Sequence, residues 1–105
     1  MDREMENACM ELIAKTGTAR SDFIESAYLA AAGELEKAAS LLAEGKELLC
    51  EAHEVHFGLL ARDAEGRLEN VPLLLVHAED QMSGAEIFET LAGQLIRIQR
   101  ERQQA

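Results

Sequence analysis

The sequence predicts an all-α protein, an antiparallel three-helix bundle, and three observations carry that prediction. Ala, Glu, Leu, Arg and Lys make up 58 of the 105 residues, a composition typical of long helices. There is one proline and the aromatic share is 4%, so little breaks a helix or favours a strand. Apolar residues recur at three- and four-residue steps through three stretches, about 3–32, 34–64 and 71–102, which gives each stretch an apolar face. A chain of 105 residues fits one domain, 1–105. Helices of roughly 30 residues would each run about 45 Å. Short connections make consecutive helices antiparallel neighbours.

In the first helix the apolar series is Met5, Cys9, Leu12, Ile13, Thr16, Phe23, Ala27, Ala30 and Ala31. Gly17 interrupts it. A glycine inside a helix costs about 1 kcal/mol against alanine, so Gly17 marks either a kink or the close approach of another backbone. Gly33-Glu34 breaks the chain before the second helix. That helix carries Leu35, Ala38, Leu41, Leu42, Gly45, Leu48, Leu49, Ala52, Val55, His56, Leu59 and Leu60. Gly66 then serves as its C-terminal stop.

The third helix opens at Asn70 or Val71, with Pro72 in its first turn, where a missing N–H does no harm. It carries two apolar series. Leu75, Ala78, Met82, Ala85, Ala92 and Ile96 can face the first two helices. Leu74, His77, Gln81, Gly84, Phe88, Leu91, Leu95 and Ile98 form a second series with heptad spacing. A simple bundle needs one face. The spare face implies pairing with further copies of the chain, the alternative being one broad core. The polar tail from Arg100 to Ala105 is expected to fray.

The formal net charge of −10 argues against a nucleic-acid backbone or an anionic membrane surface, both of which call for Lys and Arg clusters. A partner with a basic patch would be attracted. Cys9 and Cys50 form no CxxC motif and read as two free thiols with packing roles. The N-terminus is polar and acidic, without the apolar core of a signal peptide, and no run approaches 18 apolar residues. A cytoplasmic location follows by exclusion.

His77 and Asp80 are the residues that stand out chemically. Three residues apart on a helix, they project to one face, directly after the apolar run Leu73-Leu74-Leu75-Val76. Side chains on a helix lean toward its N-terminus, so the His77 ring should reach back toward the first turn, whose N–H groups lack intrahelical partners. That end favours an anion by about 0.3–1 kcal/mol. His53 and His56, with Glu51 and Glu54 close in sequence, have metal-ligand spacing, but a helix face with a polar margin, packed by Phe57 and Leu60, is the preferred reading. Arg97, Arg100 and Arg102 form a solvated helix end.

Val71 to Met82 resembles the active-site segment of the lactose/cellobiose-type enzyme IIA proteins of the bacterial phosphotransferase system. That family shows an apolar run and then His-Ala/Gly-Gln-Asp-His-Leu-Met, where this chain has His77-Ala78-Glu79-Asp80-Gln81-Met82. Gly17-Thr18-Ala19-Arg20-Ser21 is similar to the family's Gly-x-Ala-Arg-Ser in the first helix. Gly33 to Ala38 resembles its glycine-led turn into the second helix; Glu51-Ala52-His53 and Ala64-Glu65-Gly66 resemble that helix's middle and end.

The resemblance implies a homotrimer joined through the third helices and a phosphoryl relay. HPr would be the donor, His77 the acceptor, and a cysteine of enzyme IIB the next carrier. The membrane is reached only through the permease, IIC, during uptake of a β-linked disaccharide of the lactose, cellobiose or chitobiose type. Asp80 matches the family's aspartate that binds a metal ion, usually magnesium, one Mg2+ per trimer on its axis. Two departures stand out. Gln81 replaces the family's second histidine, and His56 stands where its second helix commonly has Gln. A non-catalytic helical adaptor that keeps the fold is the alternative that Gln81 and Glu79 leave open.

Overall fold

The computed structural model describes residues 1–105 as three helices and their connections: α1 (Arg3–Ala31), α2 (Leu35–Ala64) and α3 (Leu73–Gln104). They lie side by side in a rod of 56 × 20 × 18 Å. α1 packs extensively against both partners, while α2 and α3 meet more sparingly. No helix is long and apolar enough to cross a membrane.

α1 buries Met5, Cys9, Leu12, Thr16, Ala19, Phe23, Ser26 and Ala30. These residues alternate steps of four and three, the seam of helices that pack at a shallow angle. Ala19 and Ser26 complete a stripe whose other members the apolar spacing identifies, whereas Ala31 is exposed. The Ser26 hydroxyl donates to the Ala38 carbonyl at 2.7 Å, which satisfies it in the core and ties α1 to α2. The six buried residues of α3 are Leu75, Ala78, Met82, Ala85, Ala92 and Ile96, the inner series that periodicity predicts.

Both helix ends that glycine was expected to stop are closed in the same way. Gly33 (φ 84°) and Gly66 (φ 73°) adopt left-handed backbone conformations, which favour a residue without Cβ. Gly33 N–H bonds to Ala30 and Glu34 N–H to Leu29; Gly66 N–H bonds to Asp63 and Arg67 N–H to Arg62. Each is the paired closure of a Schellman turn.

Several expectations need correction. Gly17 is not a close-approach position, since a Cβ there would meet nothing within 4 Å. The glycine that matters is Gly45, where a Cβ would lie 2.5 Å from the Phe23 ring. Pro72 is not in the first turn of α3. It is the N-cap residue, in extended conformation (ψ 151°), and the helix starts one residue later. Its carbonyl accepts from Leu75 and Val76. The C-terminal tail is helical rather than irregular: α3 continues to Gln104, and the Gln99 and Gln103 side chains donate to the Ala31 and Gly33 carbonyls at 3.2 and 3.3 Å. Cys50, Phe57 and Leu60 are exposed rather than packed. Cys50 and Phe57 lie off the stripe that meets α1, while Leu60 borders a shallow hollow with Leu68, Val71, Leu75 and Val76.

Candidate functional site

The first turn of α3 prepares the site. With Pro72 extended and its carbonyl already serving Leu75 and Val76, the free N–H groups at this end are those of Leu73 and Leu74, and no side chain caps them. Because the helix begins at Leu73 rather than Val71, His77 is its fifth residue, closer to the helix start than the sequence suggested. His77 is exposed. It lines an open depression together with Leu73, Leu74, Val76 and Asp80. The ring therefore shares a surface with the first-turn residues. Asp80 shares it too, so the structure brings the predicted pair together on one face.

Asp80 is exposed and is the sole carboxylate lining this depression. Nowhere in the chain do three or more His, Cys, Asp or Glu side chains converge in a way that could hold a metal ion. Magnesium takes a nearly octahedral set of oxygens and commonly uses one or two carboxylates with waters. Asp80 supplies a single carboxylate, so one chain by itself offers few of the oxygens such an ion takes.

His53 and His56 do not form a metal pair with Glu51 and Glu54. Each reaches across to α3 instead. His56 Nε2 lies 2.6 Å from a Glu79 carboxylate oxygen, and His53 Nε2 lies 2.7 Å from Glu86. Glu51 is paired with Lys15 at 3.5 Å. Spacing within one helix carries no information about such pairs, since each joins α2 to α3. A signal was present, however. His56 and Glu79 each depart from the family pattern at a position where that pattern has Gln, and the two departures meet in one contact.

On the other flank of α3, Arg20 Nη1 donates to Gln81 Oε1 at 3.3 Å. The same guanidinium sits 5.3 Å from the centroid of the Phe88 ring, within cation–π range. Gln81 is four residues past His77 and half-buried. The Glu79–His56 and Arg20–Gln81 contacts thus brace the His77 turn against α2 and α1 respectively.

A more enclosed hollow, about 480 Å³, lies at the end of the bundle between the start of α1 and the link into α3. Its two guanidinium groups are each paired with a carboxylate, although Arg62 Nη1 is buried without a partner. Arg62 binds Asp2 at 2.6 Å and Arg67 binds Glu65 at 2.6 Å. The Arg62 hydrogen bond, aided by the Met5 N–H, holds the Asp2 carboxyl below the ordinary carboxylate range. The Arg62–Asp2 pair ties the end of α2 to the start of α1 across this hollow. Arg97 pairs with Glu101 at 3.3 Å on the exposed end of α3, which is the solvated surface expected for it.

Comparison with known proteins places this geometry in context. Residues 7–100 match the family model described as PTS system, lactose/cellobiose-specific IIA subunit. The lichenan-specific phosphotransferase enzyme IIA component of Bacillus subtilis (strain 168) is 31% identical over 98 residues, covering 93% of this chain and 89% of that protein. The lactose-specific EIIA component of the PTS in Staphylococcus aureus is 31% identical over 93 residues, covering 89% and 90%. The crystal structure of the PTS cellobiose-specific enzyme IIA from Bacillus anthracis superposes with a TM-score of 0.90 at 28% identity, over 98% of this chain and 94% of that one.

Proposed function

The chain belongs to the lactose/cellobiose-specific IIA family of the phosphotransferase system, and from that membership we propose that it carries phosphate on His77 between HPr and a cysteine of enzyme IIB. The observation that supports this reading best is the placement of His77: exposed, in the second turn of α3, on a surface shared with Leu73 and Leu74. Imidazole is the side chain best suited to be a neutral nucleophile near physiological pH. Phosphoryl transfer otherwise depends on positioning and electrostatics. Here the free Leu73 and Leu74 N–H groups and the positive end of the helix dipole favour an anion, by at most about 0.3–1 kcal/mol because the effect fades beyond the first turn. Exposure lets two different partner proteins reach the same ring in turn. The acidic surface, net −10, favours partners that present basic patches.

The chain is proposed to assemble as a homotrimer through α3, with Asp80 from each copy turned toward a shared Mg2+. When bound, the ion would neutralise the like charges of the three carboxylates. The system would serve uptake of a β-linked disaccharide of the lactose, cellobiose or chitobiose type. The chain would work in the cytoplasm and reach the membrane only through IIC.

The test is direct. Incubation with enzyme I, HPr and labelled phosphoenolpyruvate should place an acid-labile phosphate on the wild-type chain and none on His77→Ala. His77 is exposed, so the variant should keep its helicity and remain a fair comparison. A wild type that takes no label, or a His77→Ala that takes it equally, would overturn the relay.

A further inference from the structure

We propose that Gln81, with its carboxamide oriented by Arg20, donates a hydrogen bond to the phosphoryl group carried on His77. This rests on the reading of His77 as the acceptor.

Helical side chains lean toward the helix N-terminus and cover the turn before their own Cα. Gln81 therefore lies over the turn that His77 occupies, four residues back on the same stripe. A carboxamide has one accepting oxygen and one doubly donating nitrogen. Arg20 Nη1 donates to Gln81 Oε1 at 3.3 Å, so the oxygen is committed toward α1. The amide nitrogen is left on the opposite side of the group, with two N–H donors free. Arg20 cannot turn away at no cost, because its guanidinium rests over the Phe88 ring at 5.3 Å. An arginine has no acceptor to offer, so the contact permits only one amide orientation, oxygen toward Arg20.

Charge makes such a donor useful. The chain's net charge is −10, and Glu79 and Asp80 follow His77 at two and three residues. A phosphoryl dianion at His77 is among like charges. Glu79 is partly offset by its contact with His56 at 2.6 Å. Gln81 contributes a neutral donor backed by the Arg20 cation, and hydrogen bonds to a charged acceptor are about twice as strong as neutral ones. Where the family has a histidine, this chain thus presents an amide N–H donor whose group is held by Arg20.

The experiment measures the fraction of chain phosphorylated at equilibrium with enzyme I, HPr and a fixed ratio of phosphoenolpyruvate to pyruvate, read by 31P NMR. Variants are Gln81→Ala, Gln81→Glu, Arg20→Gln and Arg20→Lys, each checked for helicity by circular dichroism. Loss of a hydrogen bond to a charged group should lower the phosphorylated-to-free ratio roughly ten- to hundredfold in Gln81→Ala. Gln81→Glu should be the most impaired, although it is the closest in shape. A packing role predicts the opposite order. Arg20→Gln should lose several-fold, and Arg20→Lys less. Gln81→Ala or Gln81→Glu at the wild-type ratio would overturn the donor role. Arg20 variants at the wild-type ratio beside an impaired Gln81→Ala would overturn the orienting role. A wild type that takes no phosphate at all would instead remove the His77 reading on which the proposal stands.

Discussion

At the scale of single residues, the chain keeps a few polar groups where apolar ones would be more stable, and Asp22 is the clearest. It sits at the α1–α2 contact beside Gly45, with one carboxylate oxygen buried and without a partner. Burial pushes its carboxyl above the ordinary range, and the nearby charge of Glu44 adds to the effect. The sign follows from linkage. A carboxyl that is harder to ionise when folded favours folding while protonated, and that advantage is lost as pH rises through the raised value. At neutral pH Asp22 therefore opposes folding. Asp22→Asn should raise the melting temperature at pH 7, and the gain should vanish as pH falls below the ordinary carboxylate range. A melting temperature that is unchanged at pH 7, or raised equally at pH 3, would contradict this account. His77 differs from such residues in being legible from sequence. It stood out by following an apolar run at the start of a helix, which is a local property. The contacts that brace its turn, Glu79–His56 and Arg20–Gln81, join residues 23 and 61 positions apart. No helical periodicity relates residues on different helices, so these contacts became readable only in three dimensions.

Among the helices, what was legible is what repeats within one segment. The 3.5-residue spacing identified all six buried residues of α3, and glycine chemistry located both helix stops at Gly33 and Gly66. The same spacing contained the answer to which glycine is close-packed. Gly45 lies on the stripe of Ala38, Leu49 and Ala52, whereas Gly17 falls between Thr16 and Ala19 and points outward. Gly45→Ala sets two effects against each other. Helix propensity favours alanine by about 1 kcal/mol. The added Cβ would lie 2.5 and 2.9 Å from two Phe23 ring atoms and 3.1 Å from the Asp22 Cβ. Phe23 is fully buried, so its ring cannot simply swing aside, and overpacking of this kind costs about 1–3 kcal/mol. Gly45→Ala should therefore be net destabilising in urea unfolding, while Gly17→Ala, with open space around it, should not be. If Gly45→Ala proves more stable than wild type, the α1–α2 contact has room for a Cβ at this position. The ends of α3 were not legible because they depend on partners. A proline can begin a helix as its cap or inside its first turn. The glutamines that pin the last turn to the α1–α2 connection look, in sequence, like any polar tail.

For the whole molecule, the second series of α3 is a face that one chain leaves uncovered. None of its members is fully buried in the single chain, and Leu91 and Ile98 remain 57% and 49% exposed. A broad core enclosing both series is therefore not what one chain forms. Met10, Ile24 and Tyr28 are also exposed on α1. Burying a leucine or isoleucine fully is worth about 1.5–3 kcal/mol, so several half-exposed residues per chain, repeated over three copies, would supply a substantial driving force for the proposed trimer. The same fact makes the proposal separable from folding. Leu91 is largely in water in the single chain, so Leu91→Glu should leave each bundle folded. In a trimer it would place three carboxylates near one another in an apolar seam, where desolvation and like-charge repulsion both oppose association. Sedimentation equilibrium at micromolar concentration should give a trimer mass for wild type and a monomer mass for Leu91→Glu, with equal helicity by circular dichroism. A monomeric wild type would remove the trimer. A trimeric Leu91→Glu would mean that the copies meet through a surface other than this face of α3.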